Sequence, residues 1–139
     1  MMTKYDIAHI EVARVYATLS TAERAKVGCI IVKDNRIISI GYNGTPSGWS
    51  NICEDENYET KPEVLHAETN AIAKLAKSNE SGQDATLYCT HSPCLHCAKL
   101  VYQSGIQRLV YENDYAGREG LEFLHKAGVT VEGLYDAIS

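Results

Sequence analysis

A chain of 139 residues and 15.3 kDa has the length of one domain, so residues 1–139 are expected to fold around a single core, and two complete domains are excluded. With 45% apolar and 22% charged residues, ten Gly and only three Pro, the composition is that of a soluble globular protein rather than a disordered or repeat chain. Thirteen Lys and Arg against eighteen Asp and Glu give a net charge of −5, which opposes generic binding to a long nucleic acid. A small anionic substrate stays open, because a few converging cations in one pocket outweigh a distant acidic surface. No stretch approaches the roughly 18–20 unbroken apolar residues of a membrane span, and the start has no signal-peptide pattern, so a cytoplasmic setting is expected.

In chain order, residues 5–19 repeat apolar side chains at helical spacing and break at Ser20-Thr21, an amphipathic helix. Residues 27–32 (VGCIIV) and 36–42 (RIISIGY) are β-rich runs joined by Lys33-Asp34-Asn35, an antiparallel hairpin with a short polar turn. From 43 to 62 no period holds, and Gly44, Pro46 and Gly48 mark a long loop of the kind that is usually functional or mobile. Residues 63–77 are expected to be a helix, 86–90 a strand, 94–104 a helix, 108–111 a strand, 118–127 a helix closed by Gly128, and 129–132 a last strand. Strand, helix, strand, helix, strand at these distances makes two right-handed crossovers with three parallel strands. The expected fold is a three-layer α/β/α sandwich on a five-stranded mixed sheet.

Five cysteines in a reducing setting, two of them as Cys94-Leu-His-Cys97, point to metal or thiol chemistry rather than disulfides. His66-Ala67-Glu68 precedes Pro93-Cys94-Leu95-His96-Cys97. One imidazole and two thiolates supply three positions of a tetrahedral zinc site and leave the fourth for water, the arrangement of a catalytic zinc. Both clusters fall at helix starts after loops, where the helix dipole favours thiolate and free N–H groups can bind an anion or a carbonyl. Glu68, two residues beyond His66, diverges from it by about 200° on a helix, so it is read as general acid/base and not as a ligand. Zinc-bound hydroxide would then be the nucleophile, with Glu68 moving protons between that oxygen, a ring nitrogen and a departing amine. A C-x-x-C pair alone also fits a redox or structural role. His96 is read as surface or packing, Cys29 and Cys89 as buried inert thiols, and Cys53 with His91 leaves a second metal or redox pair as an alternative.

His-x-Glu followed by Pro-Cys-x-x-Cys resembles the signature of zinc-dependent nucleobase deaminases. Together with residues 24–32 (RAKVGCIIV), 41–48 (GYNGTPSG), 66–71 (HAETNA) and 92–97 (SPCLHC), it resembles the deoxycytidylate (dCMP) deaminases over residues 5–131. The resemblance implies hydrolysis of dCMP to dUMP with release of ammonia. It implies His66, Cys94 and Cys97 as zinc ligands, Glu68 as proton shuttle, the Ala67 N–H on the pyrimidine carbonyl, the Ser92 carbonyl on the exocyclic amine, and the Asn43 side chain on the sugar hydroxyl. Candidates for the phosphate are Arg24, Lys26, Tyr115 and Arg118, the last two at a loop and helix start that welcome an anion. The resemblance further implies a homohexamer activated by dCTP and inhibited by dTTP, with Mg2+ accompanying the triphosphate and Tyr42, Asn43 and Gly44 contributing to that site. The rivals are a tRNA adenosine deaminase, disfavoured by the acidic charge, other free-base or nucleoside deaminases of the same fold, and a silent metal-binding scaffold, which would have no need of Glu68.

Overall fold

The computed structural model describes residues 2–115 and 117–135. The order is α1 (Lys4–Ala17), β1 (Gly28–Lys33), β2 (Arg36–Tyr42), α2 (Ala67–Ala76), β3 (Thr86–His91), α3 (Leu95–Gln103), β4 (Arg108–Asn113), α4 (Glu119–Lys126) and β5 (Thr130–Gly133). The strands form one sheet in the order β2-β1-β3-β4-β5. The hairpin pairs antiparallel, β1 also pairs antiparallel with β3, and β3, β4 and β5 are parallel, as two right-handed crossovers require. Asp34 and Asn35 supply the left-handed conformation of the hairpin turn, at φ 52° and 59°, which Asp and Asn tolerate better than other non-glycine residues.

Alternation along the strands sends successive side chains to opposite faces. Ile30, Val32, Tyr88 and Val110 meet α1 through Ile10. Cys29, Ile31, Leu87, Cys89 and Leu109 face a layer built by Ala71 and Leu75 of α2, Ala98 and Val101 of α3, and Leu121 and Leu124 of α4. One helix therefore covers one side and three cover the other, completing the three layers. α1 is locked at its N-terminus by a capping box between Thr3 and Asp6. The same buried Asp6 carboxylate accepts two hydrogen bonds from Arg108 at 2.8 and 2.9 Å and one from the Tyr88 hydroxyl at 2.6 Å, tying α1 to β3 and β4.

Most strand and helix ends lie within two residues of the sequence expectation, β4 running on to Asn113, and two helix boundaries that differ have a visible cause. α1 stops at Ala17, because the N–H groups of Leu19 and Ser20 turn back to the carbonyls of Tyr16 and Ala17. α2 starts at Ala67 rather than 63: Leu65 and Gly44 exchange backbone hydrogen bonds at 2.7 and 3.1 Å, so residues 63–65 are spent on the end of β2. The antiparallel placement of β1 has one consequence for function. The start of β1 and the ends of β2, β3 and β4 all come to the same sheet edge, and the loops leaving that edge converge on the starts of α2 and α3. Among the described residues no helix is long and apolar enough to cross a membrane.

Candidate metal centre and active-site cavity

His66 is the N-cap of α2 and Cys94 the N-cap of α3, and neither cap makes a side-chain hydrogen bond to its own helix, so both side chains are left for the space between the helix starts. Each position is set by close backbone packing. A Cβ on Gly41 of β2 would lie 2.2 Å from the Ala67 carbonyl oxygen, and one on Gly120 of α4 would lie 2.3 Å from the Pro93 carbonyl oxygen. Glycine at both places lets α2 settle on β2 and α4 settle on the buried Pro93-Cys94 turn.

His66 Nδ1 lies 3.2 Å from Cys97 Sγ and 3.7 Å from Cys94 Sγ, and the three ligand atoms lie within 4.8 Å of one another, the one such group among the described residues. A tetrahedral zinc with Zn–S near 2.3 Å and Zn–N near 2.0–2.1 Å asks for N-to-S separations of about 3.5 Å. The observed pair brackets that value, and two sulfurs with one imidazole are the donor set zinc prefers, so the residues fit the ion. His96 is exposed on α3 and stands outside the group.

Hydrogen bonds from Cys97 and from His66 lower the Cys94 thiol to about 3. The Cys97 thiol is pushed the other way, because it donates to Cys94 and is buried, and the His66 ring is raised by its hydrogen bond with Cys94. One negative charge is thus already stabilised before a cation adds its own field, and metal binding displaces the remaining ligand proton. Glu68 is buried, 4% exposed, and lines the same cavity as His66 and Cys94. Burial raises its carboxyl above the ordinary value, partly opposed by the Cys97 thiol and by His66. A carboxyl raised in this way holds a proton more readily than a solvated one and can still pass it on.

The cluster opens on a solvent-connected cavity. His66, Ala67, Glu68 and Cys94 form its floor, and Arg24, Asn43, Ser92 and Tyr115 stand on its wall. Ser92 is fixed by its N–H to the Asn113 carbonyl at 2.8 Å and by its hydroxyl, which accepts the Tyr115 N–H at 2.9 Å. Asn43 is committed to the chain leading into β1: its Oδ1 accepts from the Val27 N–H at 2.9 Å and its Nδ2 donates to the Ala25 carbonyl at 2.8 Å. The Arg24 side chain is exposed and makes no hydrogen bond or ion pair among the described residues. Lys26 and Arg118 lie off the cavity wall, and Arg118 is paired with Asp114 at 3.0 Å. Tyr42 and Gly44 also lie off it; the Tyr42 carbonyl accepts from Asn70 Nδ2, and Gly44 bridges to Leu65.

The wall contains residues that sequence reasoning passed over. Glu54 and Thr60 face each other across a bridge within the long loop and both line the cavity. No local pattern marks Glu54, although it follows a cysteine whose burial the loop arranges. His91 lines the cavity too, with Nδ1 2.8 Å from the Thr90 hydroxyl and its ring edge-on to Tyr115. Burial lowers its pKa, which keeps the ring neutral. Cys53 is buried, 3.4 Å from the Thr21 hydroxyl, and does not join His91 in any metal group among the described residues. Cys29 and Cys89 are fully buried cross-strand neighbours.

A mixed sheet that brings one imidazole and two thiols together at two helix starts, with a buried carboxyl beside them, is the arrangement of a zinc-type deaminase domain. Residues 3–113 match the family model described as the cytidine and deoxycytidylate deaminase zinc-binding region, and the chain belongs to that family. The crystal structure of dCMP deaminase from the cyanophage S-TIM5 in complex with dCMP and dUMP superimposes with a TM-score of 0.93 at 43% identity, covering 96% of this chain and 99% of that one. Deoxycytidylate deaminase of Mycobacterium phage D29 is 33% identical over 124 residues, 79% of this chain and 95% of the relative. Deoxycytidylate deaminase of Saccharomyces cerevisiae is 36% identical over 141 residues, covering 94% of this chain. The chain spans 45% of the yeast protein's length.

Proposed function

We propose that this chain hydrolyses dCMP to dUMP and releases ammonia. The observation that carries the reading is the His66, Cys94 and Cys97 group with the buried Glu68 beside it, opening on a cavity that all but Cys97 line. The S-TIM5 relative, bound to dCMP and dUMP, supports the choice of substrate. Zinc held by the three ligands supplies a Lewis acid that brings the pKa of water from about 15.7 toward 7.

The chain's own groups divide the remaining work. Glu68 takes one proton from the attacking water and passes it to the pyrimidine ring nitrogen, then takes the second from the hydroxyl newly bonded to the ring carbon and delivers it to the amine as the C–N bond breaks. The N–H of Ala67, first residue of α2, has no partner within the helix and meets the ring carbonyl. The Ser92 carbonyl accepts from the exocyclic amine, its direction fixed by the bonds to Asn113 and Tyr115. Asn43 lies along the sugar. Of the four phosphate candidates, Arg24 and Tyr115 line the cavity and are the better pair; Lys26 and Arg118 serve the outer field.

Regulation by dCTP as activator and dTTP as inhibitor, with Mg2+ on the triphosphate, belongs to the same reading, as do a cytoplasmic homohexamer and the segment Tyr42, Asn43 and Gly44. Nothing lies within 4 Å of a Cβ built on Gly44, so there is room at its Cα, while its N–H and carbonyl are spent on Leu65. Ammonia release from dCMP, dCTP, cytidine, deoxycytidine and a tRNA anticodon stem-loop tests the proposal. Turnover of dCMP far above the others is expected, and turnover of the stem-loop alone would overturn it.

A further inference from the structure

Glu54 lies in the long loop, 7% exposed, and forms part of the cavity wall. Its Oε2 accepts the backbone N–H groups of Glu23 at 3.0 Å and Arg24 at 3.2 Å. Its Oε1 accepts from no group among the described residues. Every side-chain nitrogen or oxygen that is sealed from solvent there has a partner, so this second oxygen keeps access to solvent, on a residue that lines the cavity. A buried carboxylate with one oxygen spent on the protein and one left unspent calls for a donor from the ligand.

We propose that Glu54 reads the sugar hydroxyl of the nucleotide. The inference rests on the reading of dCMP as substrate. A carboxylate accepts and cannot donate, and it repels phosphate. A pyrimidine deoxynucleotide carries two kinds of neutral donor, the exocyclic amine and the 3′-hydroxyl, and the amine must lie at the Glu68 end to react. The hydroxyl is what remains for Glu54. The same carboxylate clamps the backbone of Arg24, so a residue carrying an acceptor and a residue carrying a cation both line the cavity. Asn43 already gives both ends of its amide to Val27 and Ala25, which leaves Glu54 as the acceptor with an uncommitted atom.

The test compares dCMP with 2′,3′-dideoxycytidine 5′-monophosphate in the zinc-loaded wild type, E54Q and E54D. A hydrogen bond to a charged acceptor corresponds to a loss of roughly 10- to 100-fold in kcat/KM for the dideoxy compound in wild type. In E54Q the two substrates should come within about threefold of each other, mainly because dCMP becomes worse. E54D keeps the carboxylate and should retain part of the discrimination, which also decides the matter if E54Q does not fold. If Glu54 is only a loop clamp, both substrates fall together and their ratio is unchanged, and the inference is overturned while dCMP turnover by wild type stands. Absence of wild-type turnover on dCMP overturns the substrate reading and this inference with it.

Discussion

Replacing Gly120 by Ala tests whether the metal centre is held by backbone packing at a distance from any ligand side chain. A Cβ at this position would sit 2.3 Å from the Pro93 carbonyl oxygen and 3.0 Å from backbone atoms of Cys94. Ordinary contact begins near 3.4 Å, so α4 and the Pro93-Cys94 turn must part by about 1.1 Å. Metal sites tolerate displacements of only about 0.2 Å, and disturbance of a supporting shell typically weakens binding 10- to 100-fold. Overpacking costs about 1–3 kcal/mol, offset by roughly 0.5–1 kcal/mol from the better helix propensity of Ala. For a domain of 139 residues the net loss, about 0–2.5 kcal/mol, corresponds to a Tm lower by up to roughly 9 °C. Thermal unfolding and zinc retention against a competing chelator measure both effects on one sample. A variant with raised Tm and undiminished zinc would refute the reasoning, because that is what Ala in a helix does when nothing opposes it.

Three further outcomes follow from the structure. Asp6→Asn removes the carboxylate that Arg108, Tyr88 and the Thr3 backbone share; with Asp6 3% exposed and the Arg108 side chain 23% exposed, a loss of roughly 2–4 kcal/mol is expected. The Asp6 carboxyl is held well below the ordinary carboxylate range against the cost of its burial, chiefly by Arg108 and Tyr88. Its contribution is therefore complete above the unfolded value near 3.8 and fades as pH falls below it; the stability gap between wild type and D6N should narrow between pH 5 and about 2, and a constant gap would contradict this. Glu68→Ala should keep one zinc per chain and lose turnover by about 10²- to 10⁴-fold or more; loss of zinc would instead make the carboxylate a ligand. Arg24→Ala should raise KM for dCMP by roughly 10-fold or more and leave deoxycytidine nearly unchanged; equal effects on both would remove Arg24 from the phosphate end.

The parts of the molecule legible in the sequence are those governed by local rules. The hairpin followed from two β-rich runs around Asp34 and Asn35, and the parallel strands from the spacing of β3, α3, β4, α4 and β5. His66, Cys94 and Cys97 were legible because each ligand cluster sits at a helix start, where spacing and capping are read along the chain. Long-range pairing hid the rest. Val64 and Leu65 suit a helical period, yet Leu65 bonds with Gly44 across 21 residues and delays α2 to Ala67. The long loop is ordered by bonds to a distant segment, from Glu54 to Glu23 and Arg24 and from Thr21 to Asn51. Its cavity-lining carboxylate is invisible to any window of sequence. Lys26 and Arg118 show the converse. Charge and position near the site were readable, but whether a side chain reaches the wall or pairs elsewhere, as Arg118 does with Asp114, depends on the folded loops.

Zinc-edge X-ray absorption on purified, active protein tests the central claim most directly. The account predicts two sulfur neighbours and one imidazole, with the remaining position filled by a light atom from solvent that dCMP perturbs on binding. A third sulfur, a second imidazole, or full activity without bound metal would contradict it.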